Sequence, residues 1–164
     1  NSQGRKKSDE ITSSRNDILV FESAPLDTAL IILGPVTAKL FASSSSLDTD
    51  WFINFYAINE KDEYMPLTHG SIRARFRNSL TKPELLERNK IYEYNIDLWQ
   101  TGIKLDRGWK IRLEISSADF PQYSRNLNTG KNNEMETEYE VATQRIYHSL
   151  KYPSCIILPV ITNN

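Results

Sequence analysis

The chain has 164 residues, 39% of them hydrophobic and 25% charged, with a formal net charge of −1. This composition is that of a globular domain, and the lack of a basic excess argues against a nucleic-acid partner. A single domain of this length buries roughly 70% of its unfolded-state surface, enough for a core without covalent staples. Cys155 is the one cysteine, so no internal disulfide can form. A lone thiol leans toward a reducing, cytoplasmic compartment but leaves the localisation open. No apolar run approaches the ~20 residues that span a bilayer. No apolar stretch backs the N-terminal charges in the manner of a signal peptide, so no membrane partner is expected.

Residues 1–17 are polar, charged and without periodicity, which predicts a linker or exposed lead-in loop before a domain over 18–164. From Ile18 onward the hydrophobic period is two. Ile18 to Glu22 predicts a first strand, and Val36, Ala38, Leu40 and Ala42 set the inward face of a second. Trp51 to Ile58 is apolar on both faces apart from Asn54, as in a strand covered on both sides. Ile72, Ala74 and Phe76 alternate with Arg73, Arg75 and Arg77, predicting a strand with an arginine-lined wet face. Tyr92, Tyr94, Ile96 and Leu98 oppose Glu93, Asn95 and Asp97. Trp109, Ile111, Leu113 and Ile115 face inward, with Lys110, Arg112, Glu114 and Ser116 toward water. Thr143 to Ser149 is a further strand. Cys155 to Ile161 is another, which Pro159 confines to an edge or a strand end.

Turns are predicted at Asn59 to Asp62, Thr68 to Gly70, Asp106 to Gly108 and Asn128 to Gly130. Helix is limited to single short segments over Pro83 to Arg88 and Asn133 to Val141. About eight short strands without helices between them indicate an all-β, antiparallel two-sheet sandwich or jelly roll. A parallel α/β fold would need crossovers that the gaps are too short to hold.

The sequence holds no G-x-S-x-G nucleophile elbow, no G-x-G-x-x-G, no Walker lysine motif and no H-E-x-x-H. No catalytic residue and no cofactor are therefore assigned. His69 and His148 are the two candidate general bases, and both fit plainer roles, in a turn and in a strand. Asp48 and Asp50 are loop carboxylates of the kind that hold calcium; as Asx-turn residues accepting backbone N–H bonds they need no metal. Arg73, Arg75 and Arg77 would grip an anion or pair across strands with carboxylates such as Glu114. Trp51 and Trp109 are in phase with core residues, leaving Trp99 as the exposed ring that a sugar-binding module would need.

Several segments in fixed order carry a resemblance. They are Phe21 to Leu26, Gly34-Pro35-Val36, Ser43 to Trp51, Leu67 to Arg77, Tyr92 to Trp99, Arg112 to Ser117, Phe120 to Gly130, Ile146-Tyr147-His148, and Pro153-Ser154 with Leu158-Pro159-Val160. Together they resemble the C-terminal domain of CocE/NonD serine hydrolases, the group of cocaine esterase, α-amino-acid ester hydrolases and X-Pro dipeptidyl-peptidases. The departures are His69, where the family carries an acidic residue, and Arg107-Gly108-Trp109, where it carries Pro-Gly-His. The resemblance implies a galactose-binding-like jelly roll that packs on an α/β-hydrolase catalytic domain of the same polypeptide and helps shape its cavity. It also implies that the Ser-Asp-His triad lies in that other domain, and that this chain is a copy of the jelly roll lacking its N-terminal portion. An apolar interdomain face would then leave the isolated chain prone to self-association. The other reading is a free-standing carbohydrate-binding jelly roll, since the fold hosts both.

The segment nearest to function is expected to be the Phe120 to Gly130 loop, which abandons alternation after the best-patterned strand. Pro121 restricts the backbone, while Asn128 and Gly130 suit tight turning. Phe120, Tyr123, Arg125 and Asn126 are the candidate cavity or interdomain contacts, Arg125 for its planar guanidinium and the aromatics as anchors. Arg75, placed on a solvated strand face, is expected to be the less sensitive of the arginines.

Overall fold

Alternation of period two becomes nine strands within residues 15–161, the part of the chain that the computed structural model describes. The expected linker over residues 1–17 lies outside the described residues except for its last three. There, Arg15 pairs with Asp17 at 2.7 Å and donates to the Ala118 carbonyl at 3.2 Å. The strands are β1 (Leu19–Glu22), β2 (Leu30–Ser44), β3 (Asp50–Ile58), β4 (Tyr64–Arg73), β5 (Tyr92–Leu105), β6 (Lys110–Ser116), β7 (Gln144–Tyr147), β8 (Cys155–Ile157) and β9 (Val160–Ile161).

They form two antiparallel sheets. One has the order β1-β6-β3-β4; in the other, β5 lies along one edge of β2 while β7, β8 and β9 share its opposite edge. The break between β8 and β9 falls at Leu158-Pro159, as a proline without an N–H requires. Between the sheets lies one core, built from Ile32, Val36, Leu40, Trp51, Phe55, Tyr94, Ile96 and Leu98 among others, all essentially inaccessible. Each such side chain contributes roughly 1.5–3 kcal/mol relative to exposure. β3 is covered on both faces, as its apolar pattern predicts.

Four expectations are corrected. Thr68 to Gly70 is not a turn but the middle of β4, where His69 pairs with Asn54 across the ladder. The Ile72 to Arg77 run does not continue as a strand: β4 stops at Arg73 and Ala74–Phe76 form a 3-10 turn, which buries Ala74 and releases the arginines from a common face. Neither short helix forms. Pro83 to Glu87 has no regular structure before a turn at Arg88, and Asn133 to Met135 form a turn that is followed by irregular chain to Val141.

The fourth concerns β6, whose alternate face is not wet. Arg112 and Glu114 are buried at 7% and 5% exposure, bonded to each other at 2.9 Å, with Arg112 also donating to the Tyr64 hydroxyl at 2.9 Å. Buried charges persist when paired and hydrogen-bonded, so charge alone did not mark this face as solvent-facing. Ile115 is in the core, while Trp109, Ile111 and Leu113 pack against it half-buried.

The sandwich is closed along one side and open along the other. On the closed side β4 crosses β5 so tightly that a Cβ on Gly70 would sit 2.1 Å from the Asp97 carbonyl oxygen. Thr68 Oγ1 donates to the Leu98 carbonyl at the same crossing. On the open side β1 and β7–β8 are not paired, and a hollow of ≈ 360 Å³ lies there, lined by Phe21, Leu40, Ile53, Leu113, Ile146 and Ile156.

The closed side sets a test. Gly70→Ala forces backbone apart and is expected to destabilise the chain by roughly 3 kcal/mol in urea unfolding. Gly102→Ala, whose Cβ would meet only the movable Leu33 side chain at 3.2 Å, should cost less than about 1 kcal/mol. Equal effects would show that the β4–β5 crossing is not a tight contact.

Candidate functional site

The turn between β2 and β3 is unusually polar for its burial. Ser46, Asp48 and Thr49 are fully inaccessible and Asp50 is 5% exposed. An ionised carboxylate tolerates this only with its oxygens occupied by donors. Asp50 accepts two bonds from Arg73, at 2.8 and 3.0 Å. Asp48 accepts the backbone N–H of Arg75 at 2.9 Å and its Nε at 2.7 Å. The end of β4 and the following 3-10 turn therefore deliver two guanidinium groups to two carboxylates. Hydrogen bonding to Asp50 raises the Arg73 guanidinium above its ordinary value, against the opposing effect of burial.

A third partner comes from the far loop. Asn126 Nδ2 lies between the two carboxylates, donating to Asp48 Oδ2 at 2.9 Å and to Asp50 Oδ1 at 2.8 Å. Its Oδ1 accepts the Asn128 N–H at 2.9 Å, and Arg75 Nη2 donates to the Lys131 carbonyl at 3.1 Å. The loop is held further along: Asn133 Nδ2 donates to the Arg125 carbonyl at 2.6 Å, and Asn128 Nδ2 to the Glu140 carbonyl at 2.9 Å. Asn128 and Gly130 adopt left-handed backbone, at φ 64° and 82°. Asparagine and glycine are the residues that accept it most readily.

The four expected contact residues are thus brought together, in distinct roles. Asn126 is half-buried and faces inward. Arg125 is exposed, stacked 4.8 Å above the Phe120 ring, and makes no ion pair among the described residues. Phe120 is 61% exposed, while Tyr123 packs on Phe52 at 5.1 Å between ring centroids. The loop separates two hollows. One of ≈ 200 Å³ is lined by Asp50, Phe52, Arg73 and Tyr123. The other, of ≈ 380 Å³, has Trp51, Ile115 and Ile146 against Gln144, Arg125 and Asn126.

The carboxylates are satisfied within the protein, and the expectation for the arginines changes. All four carboxylate oxygens of Asp48 and Asp50 serve arginine and asparagine donors, and no group of three or more His, Cys, Asp or Glu suited to a metal occurs among the described residues. Arg75 is not a dispensable surface residue but the partner of the fully buried Asp48. Arg77 likewise does not share its face, donating instead to the Ala74 and Glu84 carbonyls at 3.1 and 2.6 Å. The sequence alone pointed to Asn126 only as part of a shaped loop. Its bridging role depends on residues 76 and 78 positions away.

The histidines lie far apart in the fold. His69 is exposed on β4, and His148 follows β7 on the opposite side of the sandwich, against the Phe21 ring.

Residues 2–157 match the model of the X-Pro dipeptidyl-peptidase C-terminal non-catalytic domain. The chain belongs to this family. As the C-terminal non-catalytic domain of CocE/NonD-type hydrolases, it is 36% identical over 149 residues to cocaine esterase of Rhodococcus sp. (strain MB1 Bresler), covering 90% of this chain and 26% of that protein. An aminopeptidase structure from a Thaumarchaeota archaeon superposes with a TM-score of 0.88 at 31% identity, over 94% of this chain and 27% of that one. An α-amino acid ester hydrolase structure gives 0.88 at 28% identity, over 96% and 27%. The domain therefore spans about a quarter of the length of these relatives.

Arg75→Ala would leave Asp48 buried with its main cationic partner gone, and is expected to cost roughly 3 kcal/mol in denaturant unfolding. Lys104→Ala, which breaks an ion pair exposed at 63% and 61%, should stay within about 0.5 kcal/mol. A mild Arg75 variant would mean that the carboxylates have solvent or another cation in reach.

Proposed function

We propose that residues 18–164 are the C-terminal β-sandwich, of jelly-roll type, in a serine acyl hydrolase that cleaves esters, amides or an X-Pro peptide bond. Residues 1–17 act as the linker into it. The sandwich packs on an α/β-hydrolase catalytic domain of the same polypeptide and shapes its substrate cavity. The observation that carries this reading is the match of nearly the whole chain to a domain described as non-catalytic, at about a quarter of the length of its hydrolase relatives.

Two features support it. The loop Phe120 to Gly130 is held rigid from below yet presents an exposed ring and an ion-pair-free guanidinium, which suits a contact between domains. Leu19, Val20 and Phe21 of β1 are 39–47% exposed beside the open apolar hollow, a surface that a neighbouring domain would cover. The carbohydrate-module reading finds less support. Trp51 is buried and Trp109 half-buried, leaving Trp99 as the one exposed indole.

The expected result is no hydrolysis of p-nitrophenyl esters or X-Pro anilides by the 164-residue chain, and turnover by the full-length polypeptide. Oxyanion donors and the triad supply most of the rate enhancement, and both belong to the other domain. Turnover by the isolated chain that disappears in His69→Ala or His148→Ala would overturn the proposal. The isolated chain should also bind a hydrophobic dye or self-associate. A monodisperse monomer that ignores the dye would point to a self-sufficient module.

A further inference from the structure

We infer that Asn126 is a positioning residue: its carboxamide, lodged between two buried carboxylates, sets where Arg125 meets a carboxylate side chain of the catalytic domain. The inference rests on the interdomain reading above.

A primary amide nitrogen carries two N–H groups and no charge. Placed between Asp48 and Asp50, it donates one to each, at 2.9 and 2.8 Å. Aspartate at this position would present oxygens to oxygens, and alanine would leave two acceptors short of a donor. The amide oxygen accepts the Asn128 N–H at 2.9 Å, so the same side chain also sets the turn that follows. In the peptide that joins the two residues, the Arg125 carbonyl receives Asn133 Nδ2 at 2.6 Å. The peptide that joins Arg125 to Asn126 is thus anchored through its carbonyl and through the side chain that follows, while the Arg125 side chain is guided by the Phe120 ring.

The local charges point to the kind of partner. Arg73 and Arg75 are matched by Asp50 and Asp48, and Lys131 by Glu136 at 2.7 Å. Of these four cations, Arg125 alone has no ion pair among the described residues. A planar fork of N–H donors, held by a ring at the rim of an apolar-floored hollow, fits a carboxylate better than a neutral carbonyl. Because the backbone is fixed, the guanidinium arrives with little ordering cost, which is the advantage of preorganisation.

The experiment uses the full-length polypeptide with a neutral p-nitrophenyl ester, so that substrate offers no carboxylate of its own. Asn126→Asp and Arg125→Glu should each raise KM roughly tenfold while kcat stays within about twofold. The double variant should be no worse than the poorer single one, because both act through one contact. Asn126→Ser, neutral and smaller, serves if the aspartate variant does not fold. Asn95→Ala, on an exposed face of β5, is the control. A lower melting temperature for the Asn126 variants with KM equal to that of the control would make the residue merely structural and overturn the inference. Additive effects at 125 and 126 would do the same. An Arg125 effect seen only with carboxylate-bearing substrates would assign the carboxylate to substrate and overturn the choice of partner. Failure of the underlying reading looks different: the unmutated full-length polypeptide would show no acyl hydrolysis at all.

Discussion

Two buried aspartates where β3 begins are the constraint on which the placement of the Phe120 to Gly130 loop depends. Asp48 and Asp50 stand where solvent cannot reach them, so every oxygen needs a donor supplied by the protein. The donors come from three separate stretches of chain: the end of β4, the 3-10 turn after it, and the loop that carries Asn126, 76 residues beyond Asp50. An ion cluster of this kind adds little net stability compared with a well-packed apolar equivalent. Its effect is geometric. Guanidinium forks and a carboxamide accept few arrangements, so the cluster specifies one placement of the loop over the end of the sandwich. It also explains why β4 ends where it does, since Arg73 and Arg75 must turn toward different carboxylates instead of alternating along a strand.

The two sides of the sandwich divide structural duties. On the β4–β5 side the backbones touch, Gly70 having no room for a side chain, and this fixes the relative orientation of the sheets. The β2–β5 ladder slips register between Pro35 and Thr37, and near that irregularity Trp99 takes a left-handed backbone and turns outward. On the β1 side the layers meet through the Phe21–His148 ring contact, and apolar side chains from both sheets line a common hollow. A short strand bonded on one edge, with its apolar residues half-exposed, is poorly protected by itself. The domain is thus rigid where it carries the loop and incompletely covered where β1 lies.

Much of this was legible in the sequence because period two is a backbone property. Val36 through Ala42, Trp51 through Ile58 and Tyr92 through Leu98 all point where their alternation says. What alternation could not show was pairing at a distance. Arg112 and Glu114 are each solvent-facing by residue type; together, with Tyr64, they are a satisfied buried pair. Arg73, Arg75 and Arg77 alternate like a strand face, yet the demand of Asp48 and Asp50 for cations outweighs local extended propensity and folds Ala74–Phe76 into a turn. Thr68-His69-Gly70 carries turn-like residues, but there glycine answers a tertiary need, the close passage of β5. The loop was recognisable as shaped from Pro121, Asn128 and Gly130. Which of its residues turn inward was not, because that depends on the carboxylates beneath it.

A domain without catalytic groups can influence a reaction only through geometry, by where it places surfaces that another domain completes. Positional tolerance at such a surface is tight, on the order of 0.5 Å, so a loop hung on the sheet by its ends alone would serve poorly. Here the loop is tied at its middle, by a neutral group to charged acceptors that are themselves held by arginines. Bonds to charged acceptors are the stronger class, and their burial keeps salt and water from competing. Arg125 and Asn126 are neighbours in sequence with opposite environments, one in solvent and one against the cluster. That adjacency lets rigidity built inside the domain be expressed one residue away on its surface, with no conformational change needed to transmit it.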